Sequence, residues 1–151
     1  QLHLGITFPE PLNIDPDKAE ITSYTTFSTL EEAKQRVNLP IIYLMDSGDL
    51  KLSDISANII LDEKVMLFIT YSNSTDNITF FIYAHESDGS VSAFSATNSR
   101  IVSSNVGDVF VCEAEDGANA YLFYDDYSIR INTSLDLSTF CTLIQSLALF
   151  N

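Results

Sequence analysis

The chain of 151 residues has the length of a single domain, and its apolar residues, 46% of the total, are enough to form a packed core. Asp and Glu number 21 against 7 Lys and Arg, so the formal net charge is −14. A surface of this sign repels phosphate backbones and anionic lipid headgroups, and we therefore expect neither nucleic-acid binding nor electrostatic attachment to a membrane.

The first 22 residues, which include "PEPLNIDPDK", are rich in Pro, Asp and Asn and have little periodicity. This composition predicts a flexible lead-in over residues 1–22 and a single folded domain over residues 23–151. The chain starts at Gln1 without a Met or a signal-like leader. No apolar run reaches the roughly 18 residues that span a bilayer. Membrane attachment is therefore expected only through an N-terminal anchor that is missing from this sequence.

A short helix is predicted after Ser28, which stands three residues before Glu31 in the Ser-x-x-Glu pattern of a capping box. Its apolar stripe recurs at helical spacing and comprises Leu30, Ala33 and Val37. Pro40 disfavours helical geometry at the residue before it, so the helix is expected to end near Asn38. The following "PIIYLM" then predicts a buried strand or extended segment.

Segments dense in β-branched and aromatic residues follow, separated by polar turns. "KVMLFITYS" and "NITFFIYAHE" flank a short polar loop and are predicted to form a hairpin. A weaker strand, "SVSAFSA", precedes "GDVFVCEAE", "ANAYLFYDD" and "YSIRINTS", which tight turns join into an antiparallel meander. Alternation in "YSIRINT" places Tyr127, Ile129 and Ile131 on one face and predicts that the other face is solvated.

The last segment, "SLDLSTFCTLIQSLALF", predicts a C-terminal helix capped by Asp136 or Ser138. Its apolar stripe comprises Phe140, Leu143, Ile144, Leu147 and Ala148. Both helices need an apolar partner. We therefore expect an α+β fold in which an N-terminal-side helix and a C-terminal helix pack on one face of a curved antiparallel sheet of roughly six to eight strands.

Two cysteines, Cys112 and Cys141, are too few for a disulfide framework and are not spaced as zinc ligands. Cys112 lies in a predicted strand and Cys141 in the C-terminal helix, where both are expected to face a core. Two buried free thiols are the favoured state, and one disulfide bridge is the alternative.

The chain contains, in this order, "STLEEAKQRVNLPII", a central hairpin and "VFVCEAEDGANAYLFYDDYSIRINTSLDLSTFCTLIQSLAL". This arrangement resembles the bacterial domain-of-unknown-function family 4367 over roughly residues 27–149. After "LPII" that family typically continues with a Pro-containing turn, whereas this chain has "YLMDSGDLKL". The resemblance implies an extracytoplasmic domain tethered by an upstream transmembrane helix, in some cases in proteins similar to anti-sigma factors. It implies no reaction and no catalytic residues.

Neither a catalytic, a metal nor a cofactor site is predicted. Of the two histidines, His3 lies in the lead-in and His85 at a strand end, and no G-x-S-x-G nucleophile motif is present. Two acidic turns lack the ligand order of an EF-hand and are expected to be solvated. The first turn contains Glu113, Glu115 and Asp116, and the second contains Asp125 and Asp126.

Tyrosines crowd the last predicted hairpin next to the second acidic turn. Because alternate side chains of a strand point to opposite faces, some of these rings are expected at the surface, where aromatic side chains suit a partner interface. The predicted binding surface comprises Tyr121, Tyr124, Tyr127, Asp125 and Asp126.

These features favour a non-enzymatic, extracytoplasmic sensing or interaction domain of a bacterial membrane-tethered protein, located at the cell surface or secreted. Its expected partner is an unknown protein or small ligand. The alternative is a secreted hydrolase or a calcium-dependent enzyme that uses the acidic turns.

Overall fold

The computed structural model describes residues 3–9, 21–60, 64–84 and 91–151. These residues form twelve strands and two helices. The strands are β1 (His3–Pro9), β2 (Ile21–Thr26), β3 (Ile42–Leu44), β4 (Lys51–Ile60), β5 (Lys64–Ser72), β6 (Asn77–Ala84), β7 (Val91–Thr97), β8 (Arg100–Ser104), β9 (Gly107–Ala114), β10 (Gly117–Phe123), β11 (Tyr127–Thr133) and β12 (Leu147–Leu149). The helices are α1 (Leu30–Arg36) and α2 (Leu137–Ile144).

Eight strands form one antiparallel sheet in the order β2-β4-β5-β6-β11-β10-β9-β8. The predicted β5–β6 hairpin and the β9–β10–β11 meander are both present. β11 returns to pair with β6, and this pairing joins the first half of the sheet to the second. The predicted α+β fold with a curved antiparallel sheet is thereby confirmed. Two further pairs, β1–β7 and β3–β12, form separate two-stranded sheets.

Both helices contribute to a single hydrophobic core on one face of the large sheet. Leu30 and Ala33 of α1 are buried there, as are Phe140 and Ile144 of α2. The sheet contributes alternate apolar side chains. They include Ile55, Ala57, Leu67, Ile69, Ile78, Phe80, Ile82, Val109, Val111, Ala118, Ala120, Leu122, Ile129 and Ile131. We refer to this side of the sheet as the helix face.

The cap of α1 lies one residue later than predicted. Thr29, not Ser28, is the N-cap, because its Oγ1 accepts a hydrogen bond from the Glu32 backbone N–H at 3.2 Å. The Ser28 backbone N–H in turn donates to Glu32 Oε2 at 2.9 Å. Phe27 is still bonded to the sheet through its N–H and the Ile55 carbonyl, so the chain leaves the sheet at Ser28 and enters the helix after Thr29.

The C-terminal helix is shorter than predicted. Of the two predicted caps, Asp136 and Ser138, the structure has Asp136, since its Oδ1 accepts from the Thr139 N–H at 2.9 Å. The helix ends at Ile144, and Leu147–Leu149 forms β12 instead of a last helical turn. β12 pairs with β3, and the Ser146 hydroxyl donates to the Asp46 carbonyl at 2.8 Å. The backbone groups of β3 thus find partners in β12, which a continued helix would not provide.

The lead-in predicted over residues 1–22 contains β1 and the start of β2, and its other residues lie outside the described ranges. β1 pairs with β7 from His3 to Pro9. His85 also lies outside the described ranges. Of the two described helices, neither has the length and apolarity needed to cross a membrane.

The two cysteines are free and buried, which confirms the favoured prediction. Cys141 belongs to the core on the helix face. Cys112 lies on the other side of the sheet. Its cross-strand partner is Asn119, and alternation places Asn119 opposite the buried Ala118 and Ala120. Both thiols are buried as predicted, and the sheet lies between them.

Candidate functional site

The face of the large sheet that points away from the helices carries an array of aromatic side chains. Strand alternation places Ala118, Ala120 and Leu122 on the helix face, so Tyr121 and Phe123 of the same strand point to the opposite side. Antiparallel register then aligns side chains from neighbouring strands in rows across this side of the sheet.

Two such rows cross the sheet from β2 toward β8. The first row comprises Tyr24, Asn58, Met66, Tyr83, Ser128 and Phe123. The second row comprises Thr26, Ser56, Phe68, Phe81, Arg130, Tyr121, Phe110 and Ile101. We call these two rows together the aromatic face.

Ring contacts connect neighbouring members of the aromatic face. Phe68 and Phe81 meet edge to face with centroids 5.6 Å apart, and the rings of Tyr121 and Phe123 stack at 6.3 Å. Phe123 is 38% exposed, and Ile101 and Tyr24, which lie toward opposite ends of the rows, are each 64% exposed. Phe110 is buried, and the rings of Phe68, Phe81, Tyr83 and Tyr121 are half-buried. The most exposed apolar side chains of the aromatic face are therefore Tyr24, Ile101 and Phe123.

Ser128 corrects the prediction that the polar side of β11 is simply solvated. It is 0% exposed, because it lies between Tyr83 on β6 and Phe123 on β10. Its hydroxyl has no hydrogen-bond partner among the residues that the structure describes. Ser128 is buried because its side chain is small compared with its two aromatic neighbours, although it is polar.

Arg130 is the cation at the centre of the aromatic face. Its direct cross-strand neighbours are Phe81 on one side and Tyr121 on the other. Its Nε donates to Asn132 Oδ1 at 3.2 Å, and the side chain is exposed. Burial raises the pKa of Tyr121, and the positive charge of Arg130 opposes part of that rise. The guanidinium therefore lies close enough to the Tyr121 hydroxyl to act on its charge.

The structure divides the five residues of the predicted binding surface between two places. Tyr124 and Tyr127 flank the exposed pair Asp125 and Asp126 and stack at 4.5 Å with an interplanar angle of 12°. Both rings also pack against the core. We call this segment, 124–127, the tyrosine turn. Tyr121 is not part of it, since it lies on the aromatic face.

Hydrogen bonds close the tyrosine turn. The Tyr124 N–H donates to the Tyr127 carbonyl at 3.0 Å, and the Tyr124 hydroxyl donates to the Val106 carbonyl at 3.3 Å. Burial raises the pKa of Tyr127 to about 12, and the neighbouring Tyr124 and Asp126 add to the rise because their negative charges disfavour a second phenolate. Tyr127 thus stays neutral well above the ordinary range of a tyrosine.

A polar groove of about 690 Å³ lies beside the first turn of α2. Its lining residues are Asn98, Ser99, Arg100, Glu113, Ala114, Glu115, Gly117, Ser134, Asp136, Leu137 and Ser138. Asn98 has a positive φ of 50°, and its amide donates a hydrogen bond to the Glu113 carboxylate. In the described part of the chain, no three His, Cys, Asp or Glu side chains are grouped so that they could hold a metal ion.

Sequence reasoning missed most of the aromatic face. It assigned a surface role to Tyr121 but not to Phe68, Phe81, Tyr83 or Arg130. A signal was present, since every residue of "VMLFI" is apolar and Thr79 is the one hydroxyl-bearing aliphatic residue of "ITFFIY", whereas a sheet with one wet side alternates apolar with polar residues. The strand order that brings these residues next to Tyr121 was not readable from local patterns.

The chain matches no protein-family model, no curated protein and no solved structure.

Proposed function

We propose that this chain is a non-enzymatic interaction domain that acts outside the cytoplasm, and that the aromatic face binds a protein partner. The observation that carries this proposal is the array of aromatic side chains on the side of the sheet opposite the helices. Aromatic residues, Met and Arg are enriched at the centres of protein interfaces, and large apolar surfaces on soluble domains mark interaction sites.

The distribution of charge supports the same role. Of the carboxylates in the described strands of the large sheet, alternation places Asp54 and Asp108 on the side of the aromatic face and Glu113 on the helix face. Neither Asp54 nor Asp108 is a member of the two aromatic rows, and the Asp54 carboxylate meets the second row only at Ser56, whose hydroxyl donates to it at 3.1 Å. The central part of the rows, from β6 to β10, thus contains no carboxylate from the described strands, which suits the low charge of an interface core.

The extracytoplasmic location is proposed from the resemblance to the bacterial domain-of-unknown-function family 4367. In that setting the domain is tethered to the membrane through a segment upstream of Gln1, and it senses or recruits a partner at the cell surface.

Selection of a phage-displayed random-peptide library on the purified chain tests the binding role. We expect enriched peptides that bind the unaltered chain and lose affinity for the Phe123→Ser and Ile101→Ser variants, because both side chains are exposed members of the aromatic face. Met45→Ser is the matched control, since Met45 is 65% exposed but lies outside the large sheet. Unchanged melting temperatures show that the variants remain folded.

Two outcomes contradict the proposal. One is the absence of any peptide enriched above the phage background. The other is a set of enriched peptides that bind Phe123→Ser and Ile101→Ser as tightly as they bind the unaltered chain.

A further inference from the structure

We propose that the partner segment bound by the aromatic face is an apolar polypeptide stretch that carries a carboxylate, and that Arg130 is the residue that selects it. This inference rests on the proposed function and names the chemistry of the partner. It makes Arg130 a specificity-determining residue and not merely a solubilising charge.

The position of Arg130 is the first step. It occupies the central strand pair of the sheet, with Phe81 and Tyr121 as direct neighbours in the same row. Cross-strand neighbours have Cβ atoms roughly 5 Å apart, so an aromatic side chain lies on each side of Arg130. Its charge therefore lies in the middle of the second row of the aromatic face.

The hydrogen bonding of Arg130 is the second step. A guanidinium has five N–H donors, and the bond from Nε goes to a neutral acceptor, the Asn132 amide oxygen, at 3.2 Å. Within the described ranges, no carboxylate forms an ion pair with Arg130. A partner carboxylate can thus supply the counter-charge through paired N–H···O bonds.

Charge complementarity limits the partner further. A wholly apolar segment would bury the guanidinium without a counter-charge, which is costly. A highly anionic partner would be repelled by the −14 charge of the domain as a whole. An isolated acidic side chain within an apolar stretch satisfies both conditions.

The peptide library described above supplies the probe for this inference. We expect the enriched sequences to share Glu or Asp at one position with apolar residues on both sides. A synthetic peptide of the enriched sequence, and its copy with that Glu replaced by Gln, are then titrated against the chain. The acidic peptide should bind about tenfold more tightly or better, as hydrogen bonds to charged groups imply.

Variants of Arg130 complete the test. Arg130→Gln should weaken the acidic peptide by about tenfold and abolish its advantage over the Gln copy, whereas Arg130→Lys should recover part of the affinity. Arg36→Gln on α1 is the matched control, since it removes the same charge from an exposed position off the sheet. Because Arg130 is exposed, its variants are expected to melt like the unaltered chain.

The outcomes separate this inference from the proposed function. Neutral apolar peptides that require Phe123 but not Arg130 would overturn the role of Arg130 and leave the aromatic face as the binding surface. Basic peptides that bind regardless of Phe123 and Arg130 would overturn both proposals, because such binding needs only the acidic surface.

Discussion

At the scale of single residues, the end of the β9–β10 turn requires a glycine. Gly117 has φ +154°, and a Cβ at this position would come within 1.9 Å of the Thr133 carbonyl oxygen. The neighbouring atom belongs to the backbone of a central strand, so it cannot move aside as a flexible side chain would. Glycine is required here by close approach and not only by its dihedral angle.

We predict that Gly117→Ala lowers the free energy of unfolding by about 2–4 kcal/mol. Gly107→Ala is the control, because Gly107 also has a positive φ, +109°, but a Cβ there meets no atom within 4 Å. Its cost should be limited to backbone strain, about 1 kcal/mol. Denaturant unfolding measures both, and equal losses would show that the contact with Thr133 is unimportant.

The tyrosine turn makes a prediction about pH. The pKa of Tyr127 rises from 10.0 to about 12 in the folded state, first through burial. Between these values the unfolded chain loses a proton that the folded chain keeps. The stabilisation is therefore complete below pH 10 and is lost as the pH rises toward about 12.

Denaturant unfolding at a series of alkaline pH values, together with the absorbance of tyrosinate, measures this loss. Tyr127→Phe should flatten the decline in stability. Tyr124→Phe should lower the pKa of Tyr127, because it removes a neighbouring phenolate and a hydrogen-bond partner. A titration of Tyr127 near pH 10 in the folded chain would contradict the burial of this ring.

At the scale of elements, the start of α1 shows how a sequence pattern can permit two registers. Ser28 and Thr29 each stand three residues before a Glu, so each satisfies the pattern of a capping box. The hydrogen bond from Phe27 to the sheet decides between them. That bond is a tertiary contact, and local pattern does not contain it.

We predict that Thr29→Ala costs about 1 kcal/mol of unfolding free energy, because Glu32 loses the acceptor of its backbone N–H. Ser28→Ala should change stability by less than about 0.5 kcal/mol, since Ser28 contributes its backbone N–H to the described bond with Glu32. Thermal or denaturant unfolding distinguishes the two variants. A larger loss for Ser28→Ala would restore the cap predicted from sequence.

At the scale of the whole molecule, the large sheet separates the two thiols. Cys141 lies in the core on the helix face, and Cys112 lies on the other side. Burial raises the pKa of both thiols, so little of either is present as reactive thiolate at neutral pH. Burial thus disfavours the thiolate form of both cysteines, and the sheet keeps them apart in the folded chain.

We predict that a thiol reagent labels neither cysteine rapidly in the folded chain and both after denaturation, even after exposure to a mild oxidant. Mass spectrometry of the labelled chain counts the thiols. A denatured chain without free thiols would reveal a bridge, which this arrangement of the sheet forbids.

Local pattern was enough for the elements with strong periodicity. The β5–β6 hairpin, the final meander and a cap at Asp136 or Ser138 follow from alternation, turn composition and capping chemistry, which act over a few neighbouring residues. β2 and β8 were missed because their side chains, as in "ITSYTT" and "RIVSS", are largely polar and short. These two segments form strands because they pair with the edges of the sheet that the other strands build.

By itself the sequence determined the fold class, the two helices and the acidic surface, because composition and short-range periodicity are properties of the chain before it folds. Only the tertiary structure decided that β11 enters between β6 and β10. That insertion brings Phe81, Arg130 and Tyr121 into one row from three separate stretches of sequence. Long-range pairing depends on which strand edges meet during folding, and so the candidate binding surface belongs to the fold and not to any local motif.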